Sequence, residues 1–160
     1  MDAGFGPEER PRKGAPRKLR SWRILGGSFT ERSHLTPVHF PAEAEEGVRL
    51  FNQRHYFEAH DILEEVWIGR TGKEKIFYQG LIQVAVGLYK IAVGNQGGAV
   101  SLLTKGLDKL RSVRDLDSPL DLERLIPETE TVLARVKELG QARIGDFEPS
   151  EAPQIHWRTP

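Results

Sequence analysis

The chain contains no cysteine. Disulfides, cysteine nucleophiles and thiolate metal sites are therefore excluded. Any metal centre has to be built from histidine and carboxylate. Such a chain suits a reducing compartment, and the cytoplasm is the expected location. Neither sign of charge is in excess, since 23 Lys and Arg balance 23 Asp and Glu. No overall basic field exists to hold a polyanion, which argues against bulk nucleic-acid binding. Sustained period-two alternation is missing, as are hairpin turns between β-branched runs, so strands are not expected. No apolar run follows the basic residues near the N-terminus, so no secretory signal is visible. The most apolar stretch is IFYQGLIQVAVGLYKIAV, residues 76 to 93. It only reaches the lower end of a membrane span. Gln79, Gln83 and Lys90 interrupt it and make insertion costly, so it reads as a buried helix with no membrane partner. The patterns GxSxG, GxxxxGK[ST] and GxGxxG are also absent, and no serine has an obvious base beside it.

What is present is helical. Residues 1–36 form a basic arm, expected to be disordered, because their composition cannot bury enough surface to offset chain entropy. Its segment 10–23 carries the positive charge and Trp22, and is the candidate contact for an acidic partner or RNA. The expected bundle covers 37–140. Pro41 followed by Glu43, Glu45 and Glu46 marks a helix start, and the first helix is read over 42–54. Ala59, Ile62, Leu63, Val66 and Trp67 form an apolar stripe, giving a second helix over 56–69. A third is read over 74–93, with Gly94 as its terminating glycine. A fourth is read over 98–112. A weaker fifth spans 128–139, with Pro127 placed in its first turn and Gly140 closing it. Residues 141–160 are expected to be an irregular tail, with Ile155 and Trp157 as docking points. The fold class is all-α: a compact antiparallel bundle of four to five helices joined by short loops.

The chemistry centres on the second and third helices. His60 and Glu64 are one turn apart on one face, spaced for two metal ligands or for a His–Glu hydrogen bond. HxxxE is a weak signal. Helical zinc signatures carry a second histidine, which HDILE lacks. A third ligand would come from His55, His39, His34 or Glu58. In the third helix, Gly80 and Gly87 lie on nearly the same face, so a neighbouring backbone or a ligand comes close there. Gln79 and Gln83 flank that face and require partners if enclosed. The expected pocket is His60, Trp67, Gln79, Gly80 and Gln83. Glu64 is the candidate catalytic base, and His60 with Glu64 the candidate metal pair for zinc, manganese or iron. The ligand is a small polar molecule or a divalent metal. In the competing reading the same residues form a structural polar network.

The segments LFNQRHYFEAHDILEEVW and FYQGLIQVAVGLYKIAVGNQGGAVSLLTKGLDKL resemble the bacterial and archaeal domain-of-unknown-function family 309. The matching residues include Phe57, Glu58, Ala59, His60, Glu64, Trp67, Gln79, Gly80, Gln83, Gly94, Asn95, Gly98 and Ala99. Asp61 departs from the glutamate more common in that family. The resemblance implies a small helical bundle without established activity, some members being labelled predicted metal-dependent hydrolases. A looser similarity links two segments to tetratricopeptide helix pairs, through Ala59 and Ala99. It supports a non-enzymatic alternative, a helical interaction module that takes a protein partner.

Overall fold

The computed structural model of the protein describes residues 37–159. The basic arm, its segment 10–23 and His34 lie outside the described residues. Five helices follow in order: α1 (Ala42–Asn52), α2 (Tyr56–Ile68), α3 (Gly72–Ala92), α4 (Gln96–Ser112) and α5 (Leu122–Arg143). Two short 3-10 turns, Ile144–Asp146 and Pro149–Glu151, lead into the C-terminus. Among the described residues, bridges outside helices are confined to two isolated pairs, Pro37 with Asp117 and Leu120 with Trp157.

The helix ends follow local chemistry. Pro41 precedes α1, and Glu43 and Glu45 occupy its first turn, where the dipole favours negative charge. Arg54 then takes a left-handed φ of 67° in the turn to α2. Gly94 reverses the chain after α3 with φ 80°, as the terminating glycine was expected to do. The Asn95 side chain accepts from the Gly98 N–H at 2.9 Å and so starts α4 two residues before the expected position.

The fifth helix is a correction. It begins at Leu122, and Pro127 is its sixth residue, well past the first turn. Asp121 caps it by accepting from the Arg124 N–H at 3.2 Å. Burial of Leu122, Leu125 and Ile126 draws the extra turn into the helix. That burial offsets the single backbone bond proline cannot donate. Gly140 bends the helix at φ 70°, and helical structure resumes beyond it to Arg143.

Among the described residues, all the substantial helix–helix contacts join sequence neighbours: α1 with α2, α2 with α3, α3 with α4, and α4 with α5. The arrangement is a succession of hairpins with α3 in the middle. Phe77, Tyr78, Leu81, Ile82 and Leu88 of α3 are almost completely buried between its neighbours. Both ends of the described chain are tied to the α4–α5 connection. The Val38 N–H donates to the Asp117 carbonyl at 3.0 Å, and the Arg158 N–H donates to the Pro119 carbonyl at 2.7 Å. None of the helices among the described residues is long and apolar enough to cross a membrane.

Candidate functional site

The facing of α2 against α3 is fixed by two contacts. The Phe57 and Tyr89 rings meet with centroids 5.4 Å apart. Ten residues further along α2, the Lys75 ammonium sits 4.7 Å from the centre of the Trp67 ring. The two helices therefore run antiparallel, and Glu64 falls level with the first turns of α3, near Gln79. His60 falls level with the stretch from Gln83 to Val86.

His60 and Glu64 are both buried, at 9% and 3% exposure. The Leu63 and Ala59 side chains beside them are wholly enclosed, because the apolar stripe of α2 is pressed on α3 and α1. Glu58, Asp61 and Glu65 point to solvent on the opposite face. The His60 Nδ1 lies 3.3 Å from the Phe57 carbonyl oxygen. Its Nε2 lies 3.6 Å from Glu64 Oε1, longer than a hydrogen bond. Protonated, His60 would form an ion pair with this carboxylate; neutral with Nδ1–H directed at the carbonyl, it would turn its Nε2 lone pair towards Glu64.

Gln83 is also buried, and its Oε1 has no hydrogen-bond partner among the described residues. The same holds for the Trp67 Nε1 donor. Gln79 is half-buried. Gly80 faces the other way. A Cβ there would come within 2.9 Å of Leu110 and 3.3 Å of the Gly106 carbonyl oxygen. Its missing side chain thus admits α4, and Gly80 belongs to the α3–α4 contact and not to the α2 side.

Among the described residues, no cluster of three or more His, Asp or Glu side chains could hold a metal ion. His55 and Glu58 are exposed, and His39 is half-buried on the loop before α1. None of them adds to the His60–Glu64 pair. Two protein ligands are fewer than the three that catalytic zinc sites use.

A second polar group escaped the sequence reading. Arg70, 3% exposed, lies between Glu74 and the Tyr78 ring, with Nε 3.8 Å from the carboxylate and the guanidinium 5.6 Å from the ring centre. Glu74 accepts from the His39 N–H, and the Tyr78 hydroxyl donates to the His39 carbonyl at 2.5 Å. Burial raises the Glu74 carboxyl above its ordinary range, opposed by the His39 N–H and by Arg70. Burial also lowers the His39 imidazole, helped by the Arg70 charge. These groups clamp the segment before α1 onto α3. The opposite charges of Arg70 and Glu74, four residues apart, were the available signal.

Fold and site together define a small all-α protein of consecutive helical hairpins with a buried histidine–carboxylate pair. Residues 44–102, which run from α1 into α4, match the family model described as Domain of unknown function (DUF309). Over 95 residues the chain is 37% identical to the uncharacterized protein YpuF of Bacillus subtilis strain 168, covering 56% of this chain and 53% of that protein. Over 91 residues it is 30% identical to an uncharacterized protein of Aquifex aeolicus strain VF5, covering 56% of this chain and 27% of that one. The chain thus spans about half the length of the first relative and about a quarter of the second. Neither name carries an activity.

Proposed function

We propose that His60 and Glu64 of α2, with Gln83 of the facing α3, bind a small polar ligand rich in hydrogen-bond donors, such as an amine or a primary amide. The observation that carries this reading is a buried histidine–carboxylate pair on α2 level with a stretch of α3 that carries the buried amide of Gln83. His60 Nε2 and Glu64 Oε1 stand 3.6 Å apart, and the buried Gln83 Oε1 has no partner among the described residues. An ammonium or amide N–H between them would be held by charge-assisted bonds in a dry setting. Trp67 supplies an apolar wall.

A divalent metal is the narrower version of the same reading, with His60 and Glu64 as its two protein ligands. If the protein is a metal-dependent hydrolase, Glu64 would act as the base that activates water. The non-enzymatic alternative draws on the consecutive hairpin packing, which is compatible with a tetratricopeptide-like module. There, a protonated His60 and Glu64 form an internal ion pair that fixes helix register. The lack of cysteine suits a cytoplasmic protein. Contact with an acidic partner or RNA through residues 10–23 rests on sequence alone.

Thermal shift of the full, untagged chain with ethanolamine, spermidine, acetamide and glycerol tests the ligand, and elemental analysis of the same material tests the metal. The expected result is a saturable rise in midpoint with an amine or amide that His60→Ala and Gln83→Leu abolish. Near-stoichiometric zinc, manganese or iron lost in His60→Ala would select the metal version. No rise with any of the four compounds, and no metal, would leave the ion-pair network as the role of these residues.

A further inference from the structure

A cavity of about 350 Å³ opens beside the N-terminus of α2, with neither His60 nor Glu64 in its lining. It is walled by Leu88, Ile91 and Ala92 at the end of α3 and by Ile144, Phe147 and Ala152 after α5. Its size falls at the lower end of small-molecule sites, and its walls are mostly apolar, as such sites are. Among the described residues, only Arg54 and Tyr56 bring polar side chains to it, and no acid lines it, so Arg54 is the single formal charge they supply.

Both polar groups are held in unusual states. Tyr56 is 8% exposed, and its hydroxyl has no hydrogen-bond partner among the described residues. Buried hydroxyls almost always find one, and this one lies in the cavity wall without it among the described residues. The Tyr56 ring is fixed edge-on against Phe51, with centroids 5.5 Å apart. Arg54 adopts a left-handed φ of 67°, uncommon for a residue with a side chain. Its Nε donates to the Pro149 carbonyl at 3.2 Å, which ties it to the far wall and leaves the two terminal nitrogens as donors. Burial pushes the Tyr56 hydroxyl up from its ordinary range, against the opposing pull of the Arg54 charge. The hydroxyl therefore stays protonated, able to donate and to accept.

We propose that this cavity binds a small monocarboxylic acid with an aliphatic or aryl body. The Arg54 guanidinium takes one carboxylate oxygen, the Tyr56 hydroxyl donates to the other, and the body fills the space between Leu88, Ile91 and Phe147. A cationic ligand is disfavoured by Arg54, and a fully polar one by the walls. His60, Glu64 and Gln83 do not line this cavity, so variants at those positions and at Arg54 and Tyr56 test the two proposals independently.

The test is a two-dimensional amide NMR titration of the full chain with octanoate and phenylpropanoate, each compared with its matching alcohol. The expected result is saturable shifts at Ile91, Ala92, Ile144, Gly145 and Ala152, with each acid about tenfold tighter than its alcohol. Arg54→Gln, on the exposed turn, should erase that difference without disturbing the spectrum elsewhere. Tyr56→Phe, which keeps the ring in place, should weaken the acids several-fold. The proposal is overturned if the cavity amides show no saturable shift. It is equally overturned if alcohols bind as well as acids, or if Arg54→Gln keeps the preference for acid.

Discussion

The imidazole of His39 is half-buried near Arg70 and Glu43, and its folded-state protonation is disfavoured by burial and by the guanidinium, against the opposing pull of the Glu43 carboxylate. The unfolded chain therefore takes up this proton first, near the ordinary value of 6.5. Below that value the unfolded state binds more protons, so stability falls with pH, while above it the contribution is complete. Urea unfolding across this range should show a shallower loss on acidification in His39→Gln than in the parent; equal slopes would remove the role assigned to His39. Glu74 has the opposite sign. Its raised folded pKa means that protonation during acidification favours the folded state and partly offsets His39. At Gln83 the unpaired buried acceptor costs about 1–3 kcal/mol when nothing is bound. Gln83→Leu should accordingly leave the ligand-free protein as stable or more stable by about 1 kcal/mol in chemical denaturation. A loss of more than about 2 kcal/mol would mean that the amide already has a structural partner. Sequence reading reached His60, Glu64 and Gln83 because helical periodicity assigns faces. It missed Arg54 and Tyr56, which lie at a turn and a helix start, where no periodicity applies.

Between α3 and α4, Gly80 and Gly106 let the two backbones come together. A Cβ on Gly106 would stand 3.0 Å from the Gly80 carbonyl oxygen and 3.0 Å from the Val84 nitrogen. Backbone atoms cannot move aside as a side-chain tip can. Gly106→Ala should therefore destabilise by about 1–3 kcal/mol despite the gain in helix propensity. Gly97→Ala is the control, since the nearest atom to its added Cβ is 4.0 Å away. It sits in the first turn of α4 and should stabilise by a few tenths to about 1 kcal/mol. Thermal or urea midpoints of the two variants check both signs, and a stabilising Gly106→Ala would show that the α3–α4 contact is looser than described. Glycines seven apart on α3 announced a close neighbour. That the neighbour is α4, through Gly106, became visible only in the packing. The fifth helix was underestimated for a related reason: proline was read as a boundary, whereas the burial of Leu122, Leu125 and Ile126 outweighs the one bond it forfeits.

Across the whole molecule, the C-terminus closes what the helices leave open. The Asn52 side chain donates to the Ile155 carbonyl at 2.9 Å and accepts from the Ile155 N–H at 2.8 Å. Ile155 is 2% exposed, and the Asp121 N–H donates to the His156 carbonyl at 2.8 Å. Removing residues 153–160 should cost at least about 2 kcal/mol, from the Ile155 side chain alone. It should also speed amide exchange at Asp121 and in the second 3-10 turn. An unchanged denaturation midpoint would show that the tail contributes nothing. The docking of Ile155 was expected from an isolated apolar residue in a polar stretch, while Trp157 packs edge-on against Phe40 and stays partly exposed. Composition and periodicity by themselves determined the class of the fold, the faces of α2 and α3, and the exclusion of thiol chemistry. These properties are local, because a helix face follows from spacing along the chain and a missing residue type is missing everywhere. Only the tertiary structure decided which glycine meets which helix, that Arg70 is enclosed, and that a cavity forms between a turn and a tail nearly a hundred residues apart. Such features depend on how distant segments pack, and neither propensity nor spacing encodes the distance between them.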